Sequence, residues 1–419
     1  MQAAHKSVDW TTLKKTCFTV SLAIVLLPLL AESIYAPGLP VLASNFNISE
    51  AHAGQTISIY LFGYSVGVVV WGYISDIIGR RYTIMTGVVL FLWASITCYA
   101  TQAFSLFLML RWCQAFGGAV ATLSQTLTRD VFNQQERLEL SSIMGMIISI
   151  APGVGTVLGG VIVNMSHWRD TFILLSVLAA GLLWFITQRL PETKRDAFFK
   201  PSWVNINDAT RGILQDGQLW LNGAIIGLGL GIFYIVMTEG AFFYILRLGL
   251  TRMQFSYVVA ASAVSYAMGC KLCQTLLRYG HQVKTAMGIG LILLSFAYVS
   301  QVMLLYLNGY TDTALLPIQV VCSTIVGLAV LGSLGLSCLL TPCFALGLEG
   351  QKSNIGMAAS WFSLIYNLIN AMINSGMNVI HSHSLLTMPL YFCSIIVIIA
   401  FIYIRYILMV HPKLCHRRV

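Results

Sequence analysis

Twelve apolar runs, each about long enough to cross a bilayer, constrain this chain more than anything else in it. A membrane span needs roughly 20 apolar residues. Such runs fall at about 17–36, 54–75, 82–101, 104–127, 140–163, 170–189, 219–240, 253–275, 284–307, 313–341, 354–380 and 385–409. Of the 419 residues, 57% are hydrophobic and 9% charged, where a soluble domain carries about 25% charged residues. No water-facing surface can be built from so few charges, so the solvent around most of the chain is lipid.

The charges are sorted by face. Arg169, Arg247 and Arg252 occupy loops on one side, Arg111 and Lys271 lie within spans, and the other basic residues fall on or near the opposite face. Positive charge marks the cytoplasmic side, which predicts an even number of spans with both termini cytoplasmic. The net charge of +9 is thereby topology control and not a nucleic-acid footprint. The longest hydrophilic stretch, Pro191 to Gln218, holds Lys194, Arg195, Lys200 and Arg211 and divides the spans six and six. This gives an N-terminal six-helix bundle over 1–190, a cytoplasmic linker over 191–218 and a C-terminal six-helix bundle over 219–419. Tyr64-x-x-Gly67 returns as Tyr266-x-x-Gly269, an offset of 202 residues. Repeated halves are typical of secondary transporters. The expected fold is an all-α membrane protein with twelve transmembrane helices in two pseudo-symmetric bundles.

Soluble enzyme classes find no support. The chain has no Gly-x-x-x-x-Gly-Lys-Ser/Thr phosphate loop and no His-Glu-x-x-His zinc motif, residue patterns that nucleotide and metalloprotease chemistry require. The ten cysteines are scattered mostly through apolar segments, as small buried hydrophobes are; Cys270-x-x-Cys273 has no second pair to complete a metal site. The expectation is a protein that is not an enzyme and needs no cofactor beyond a proton gradient. Its partners are a small-molecule substrate, protons and the lipid bilayer, with no nucleic acid, and it works as a monomer.

Between the second and third runs lies Gly72-Tyr73-Ile74-Ser75-Asp76-Ile77-Ile78-Gly79-Arg80-Arg81. The turn is so short that the two helices must be antiparallel neighbours, with Arg80 and Arg81 at the cytoplasmic face. Gly72 and Gly79 allow close backbone approach, and Asp76 is placed to pair with an arginine or to cap a helix N-terminus.

Ionisable residues inside spans are rare and usually face a cavity. Glu32 in the first span and Arg111 in the fourth lie at similar depth. Burial favours the neutral acid and a nearby arginine favours the carboxylate, so the pair suits proton loading and release; a permanent ion pair joining spans one and four fits equally. Glu239 near the outer end of span seven is either a second coupling acid or an interface residue. Lys271 is either a cavity lysine or one that snorkels to the cytoplasmic surface. Asn367, Asn370, Asn374 and Asn378 step by three, four and four along one helical face, extended by Ser360 and Ser363. That stripe must face inward, either as interhelical hydrogen bonding or as a substrate wall. Tyr35, Tyr60, Tyr64, Trp71, Phe233, Tyr234, Tyr266, Trp361 and Tyr366 are the candidate cavity aromatics.

The Gly72–Arg81 turn resembles the signature loop of the major facilitator superfamily. Arg111-Trp112-Cys113-Gln114 with Gly117-Gly118-Ala119 resembles its fourth-span motif, and Ala151-Pro152-Gly153-Val154-Gly155 with Gly159-Gly160 its antiporter motif. Arg129-Asp130-Val131-Phe132, Trp168-Arg169 with Phe172, Pro191-Glu192-Thr193 and Tyr35-Ala36-Pro37-Gly38-Leu39-Pro40 are similar to the Bcr/CflA group of drug-resistance exporters, in the drug:proton antiporter branch. The chain departs from these patterns at Ile77, Ala115, Thr156 and Ser33. The resemblance implies gating roles for Gly72, Asp76, Gly79, Arg80, Arg81, Arg129, Pro152, Gly155 and Gly159. Asp76 and Arg80, near Arg129, would form a cytoplasmic latch, and Gly155-x-x-x-Gly159 would lie at the contact between halves. It implies a multi-pass protein of the bacterial inner membrane that exports a small amphipathic molecule (drug, siderophore or metabolite) in exchange for protons. An importer or facilitator of a polar nutrient, and a membrane sensor that transports nothing, are the alternatives.

Overall fold

A computed structural model describes residues 10–193, 215–309, 316–347 and 355–414. Most of the expected linker, with Lys194, Arg195, Lys200 and Arg211, lies outside the described residues. The helices are α1 (Trp10–Ser33), α2 (Leu39–Phe46), α3 (Glu50–Ile78), α4 (Arg80–Ala100), α5 (Phe104–Gly118), α6 (Leu123–Val131), α7 (Gln134–Met165), α8 (Asp170–Arg189), α9 (Gly217–Gly240), α10 (Arg252–Arg278), α11 (Val283–Gly309), α12 (Ile318–Leu346), α13 (Ile355–Ile380) and α14 (Thr387–Leu414).

Their starts are written locally. Ser49 Oγ accepts from the His52 amide at 3.2 Å to cap α3. Asn133 with Glu136 and Thr251 with Gln254 form reciprocal capping boxes on α7 and α10, each satisfying two otherwise orphaned backbone donors.

Among the described residues, ten helical segments are long and apolar enough to cross a membrane, so this is a multi-pass membrane protein. The long helices α10 and α13 fall outside that set; both carry buried polar side chains, Ser256, Ser262 and Ser265 on α10 and the four asparagines on α13. Large apolar side chains such as Trp93, Trp184, Ile292 and Phe401 point outward, as lipid as solvent demands.

The order of packing positions the site. α1 lies on α6, α7 and α8, α3 on α5, and α4 on α5 and α8; α9 lies on α12, α13 and α14, and α12 also holds α10 and α11. Two long pairs join the earlier helices to the later ones, α7 with α10 and α3 with α13. The glycines of α7 set the first pair, with a correction to the expectation. Gly155 and Gly159 do not face the later helices. A Cβ at Gly155 would strike Ser33 Oγ, and one at Gly159 would strike the Ile34 carbonyl, both at the end of α1. Gly153 and Gly160 carry the other contact, against Ala260 and Ala263 and against Ser256 of α10. The face is decided by helical phase, since Gly153 and Gly160 stand seven residues apart and share a side.

Three helices are interrupted or change type along their length. α1 stops at Ser33 and resumes through a 3₁₀ turn, Ala36–Gly38, as α2; α5 passes into α6 through another, Ala119–Thr122; and α9 widens into a π-helical segment, Ala241–Arg247. Broken helices recur where membrane proteins bind their ligands, and π segments recur at functional sites.

Candidate functional site

The end of the molecule where α3 turns into α4 gathers arginines and is called here the basic end. Gly79 there has φ +94°, a region costly for any side chain, and a Cβ would also meet the Glu192 carboxylate within 2.5 Å. Glu192 accepts from the Arg80 and Arg81 amides at 2.9 and 3.2 Å, capping α4. Arg80 bonds Ser75 Oγ at 2.9 Å and Asp76 at 2.7 Å, and reaches Asp130 at 3.5 Å. Arg81 donates to the Thr187 carbonyl at 2.8 Å; Arg129 lies 3.9 Å from Asp130. These bonds of Arg80 and Arg81 run between helices α3 to α8. Gly72 faces α13, where a Cβ would sit 3.6 Å from Ser360 Oγ. Nearby, Lys14 pairs with Glu136 at 2.6 Å, and that hydrogen bond, helped by the Asn133 amide, holds the Glu136 carboxyl below its usual range.

Glu32 occupies the last turn of α1, just before the break, and is buried. Tyr234 of α9 donates its hydroxyl to Glu32 Oε2 at 2.5 Å. Arg111 is not the partner of Glu32, contrary to the expected pairing. It is fully buried, donates to Gln114 Oε1 and to the Ala31 carbonyl at 3.2 Å, and its guanidinium lies 4.4 Å from the Tyr35 ring centre and 4.2 Å from that of Tyr60. Similar depth brought Arg111 to the right level, but the side chain turns to carbonyl, amide and two π faces. A desolvated cation over an aromatic face gains about 2 kcal/mol or more. The cage is tied back in turn: Tyr35 OH meets Thr56 Oγ1 at 3.0 Å, Tyr60 OH donates to the Pro28 carbonyl at 3.1 Å, and Gln114 donates to Ser95 Oγ at 2.7 Å.

The expected cavity aromatics differ in exposure. Phe233 packs on Tyr266 with ring centres 6.1 Å apart. Tyr64, Tyr234, Tyr266, Trp361 and Tyr366 are half-buried, while Tyr35 and Tyr60 are sealed. Asn367, Asn370, Asn374 and Asn378 are all buried. Asn378 donates to Ser58 Oγ at 3.0 Å, joining α13 to α3. Asn367 turns back to the Ser363 carbonyl at 2.9 Å. Asn374 donates to Asn370 Oδ1 at 2.9 Å, which leaves Asn370 Nδ2 and Asn374 Oδ1 buried with no partner among the described residues. A buried amide group left unpaired costs about 1–3 kcal/mol.

Lys271 is corrected from a cavity residue to a surface one. It is exposed, on the stripe of α10 that also carries exposed Val264, Met268 and Thr275, about two turns from the basic end, within reach of headgroups by snorkelling.

Glu239 is a network residue. Arg247, at the end of the π segment, bonds it at 2.6 Å, and His381 Nδ1 donates to its other oxygen at 2.8 Å. Arg247 also reaches Glu50 of α3 at 3.1 Å. This far-end cluster ties α3 to α9 and α13. Sequence reasoning passed over Glu50, Arg247 and His381 because each stands at a span end, where charge is ordinary; the available signal was their scarcity in a chain this poor in charge.

Comparison with known proteins agrees with this architecture. The model of the Major Facilitator Superfamily matches residues 22–374. A bicyclomycin resistance protein homolog of Haemophilus influenzae is 27% identical over 66% of this chain and 72% of its own length. Multidrug resistance protein D of Escherichia coli is 28% identical over 39% of this chain and 42% of its own. An uncharacterized transporter of Rickettsia bellii is 29% identical over 52% of this chain, a match that spans 54% of that relative. Among solved structures, a D-xylose-proton symporter superposes with a TM-score of 0.73 at 17% identity, over 93% of this chain and 97% of its own, which speaks to the fold. The family match covers most of the sequence and its members are transporters, not enzymes: the chain belongs to the Major Facilitator Superfamily.

Proposed function

We propose that the protein exports a small amphipathic molecule in exchange for protons, by alternating access between two six-helix halves of a twelve-span fold. The halves are residues 1–190 and 219–419, and the basic end with both termini is cytoplasmic, in a bacterial inner membrane. No cofactor takes part, the proton gradient drives the cycle, and a monomer in the lipid bilayer suffices. The single observation that carries this reading is the hydrogen bond from Tyr234 of α9 to Glu32 of α1, which links one proposed half to the other. An ionised Glu32 accepts the phenol and holds the halves together there. A protonated Glu32 gives up most of that charge-assisted bond, so proton loading and the rocking of the halves are one event. Substrate enters the same space, between half-buried Tyr64, Tyr266, Trp361 and the asparagine face, and competes for the same hydrogen bonds. Relatives named for multidrug and bicyclomycin resistance support export.

The test is transport in proteoliposomes with an imposed pH gradient, over a panel of amphipathic cations, zwitterions and neutral compounds. Uphill movement coupled to proton counterflow is expected in the wild type and not in Glu32→Gln. Undiminished coupling in that variant overturns the reading. The unpartnered amide atoms of Asn370 and Asn374 favour one rival, uptake of a polar, hydrogen-bonding nutrient, which would run with the proton and not against it.

A further inference from the structure

We propose that Glu50, His381 and His383 form a site for a divalent cation of the zinc class, which bridges α3 to the segment after α13 at the far end. One atom from each residue can be chosen so that all three lie within 4.8 Å of one another. Two imidazole nitrogens and a carboxylate, with water in the fourth place, are a donor set that zinc favours. In a tetrahedral site with bonds of 2.0–2.1 Å, neighbouring donors stand roughly 3.3 Å apart. His381 Nε2 already lies 3.3 Å from Glu50 Oε2. His383 Nδ1 lies 4.0 Å from Glu50 Oε1 on a side chain 89% exposed, so a small turn of that ring closes the gap and solvent gives the ion a way in.

The surroundings are prepared for this. Glu239 accepts from His381 Nδ1 at 2.8 Å, which fixes the tautomer and leaves Nε2 with its lone pair toward Glu50. Carboxylates do this for metal-bound histidines. A positive group already occupies the position: Arg247 Nη2 lies 3.1 Å from Glu50 and 3.3 Å from His381 Nε2. The bound ion replaces that nitrogen, while Arg247 keeps Glu239 through Nη1 at 2.6 Å. Cation and guanidinium therefore compete for one pair of ligands, and either one ties α3 to α9 and α13. The consequence for transport rests on the alternating-access reading above: a bound ion holds the far ends together and stops the cycle. Binding itself does not rest on it.

The experiment uses the full chain, purified in detergent and titrated with Co²⁺, whose visible spectrum separates nitrogen and oxygen ligands from thiolates, and then with Zn²⁺ in competition. A nitrogen- and oxygen-type spectrum displaced by Zn²⁺ is expected. His383→Ala should weaken binding about tenfold or more, and Glu239→Gln, which loosens the orienting bond, by about tenfold. His52→Ala, on the same exposed rim, should leave it unchanged. A thiolate spectrum, or binding that His383→Ala does not alter, overturns the site. In proteoliposomes, Zn²⁺ on the far-end side should inhibit the wild type and spare His383→Ala, whose transport without zinc should be normal. Site-specific binding without inhibition overturns the locking effect and leaves the site standing.

Discussion

Two buried glutamates in this protein have opposite partners. Glu32 is 5% exposed and Glu239 is 3% exposed, so burial does not distinguish them. Glu32 accepts from a neutral phenol, whereas Glu239 is held by an arginine and a histidine. A buried carboxylate with a fixed cation has its charge cancelled in place, and removing either member is costly. A buried carboxylate with a neutral donor has no such anchor and can give up its charge by taking a proton. One arrangement suits a lock and the other suits a switch. Arg111 stands nearby but forms no ion pair with Glu32 among the described residues: it donates to Gln114 and Ala31, lies over Tyr35 and Tyr60, and keeps its buried Nε without a hydrogen-bond partner.

The largest expected effect comes from the switch. Glu32→Gln keeps the shape and a hydrogen-bond acceptor but cannot lose a proton. Gradient-driven transport should fall to the level of empty liposomes, while the unfolding temperature stays close to wild type. A variant that unfolds easily, or one that still transports uphill, would make Glu32 the structural member of the comparison.

Arg247→Gln should do the reverse. It strands Glu239 and Glu50 without their cation, and breaking a buried ion pair from one side costs about 3–5 kcal/mol. Thermal unfolding in detergent should shift strongly downward. If Arg247→Gln is as stable as wild type, the far-end cluster is not a lock.

Tyr234→Phe comes next, because it removes one bond and leaves both backbones in place. A hydrogen bond to a charged group contributes about 1.5–3 kcal/mol, so apparent proton affinity during transport should change by roughly tenfold or more. The double variant with Glu32→Gln should add almost nothing to Glu32→Gln alone. Additive effects would mean that the two side chains act separately.

Much of this was legible in the sequence, and the limits have a physical form. Apolar length gave the spans, and the few charges inside them identified Glu32, Arg111 and Glu239 as unusual. What the residues could not disclose was azimuth. Arg111 and Glu32 stand at similar places along their spans, yet the Arg111 side chain turns another way and puts its guanidinium on aromatic rings. Gly155 and Gly159 belong to the same small-residue run as Gly153 and Gly160, and only the phase of α7 against α1 and α10 assigns their faces. Lys271 needed the same information, since its stripe is defined by Val264 and Met268 and not by its own chemistry. The π segment after Glu239 carries no local signature, and without it Arg247 would not return to the carboxylate.

The smallest expected effect supplies the control for distance. Lys14 and Glu136 approach to 2.6 Å, as closely as Arg247 and Glu239, but their side chains are 35% and 33% exposed against 9% and 3%. Water and salt screen such a pair, and exposed ion pairs contribute little. Because Lys14 holds the Glu136 carboxyl below its ordinary range, any stabilisation is present above the unfolded carboxylate's range and is lost as pH falls through the lowered value. Lys14→Gln should therefore leave the unfolding temperature at neutral pH within measurement error, and any small difference from wild type should vanish in acid or in high salt. Should Lys14→Gln instead match Arg247→Gln, then separation and not burial governs these pairs, and the contrast between the two buried glutamates would have to rest on the identity of the donor alone.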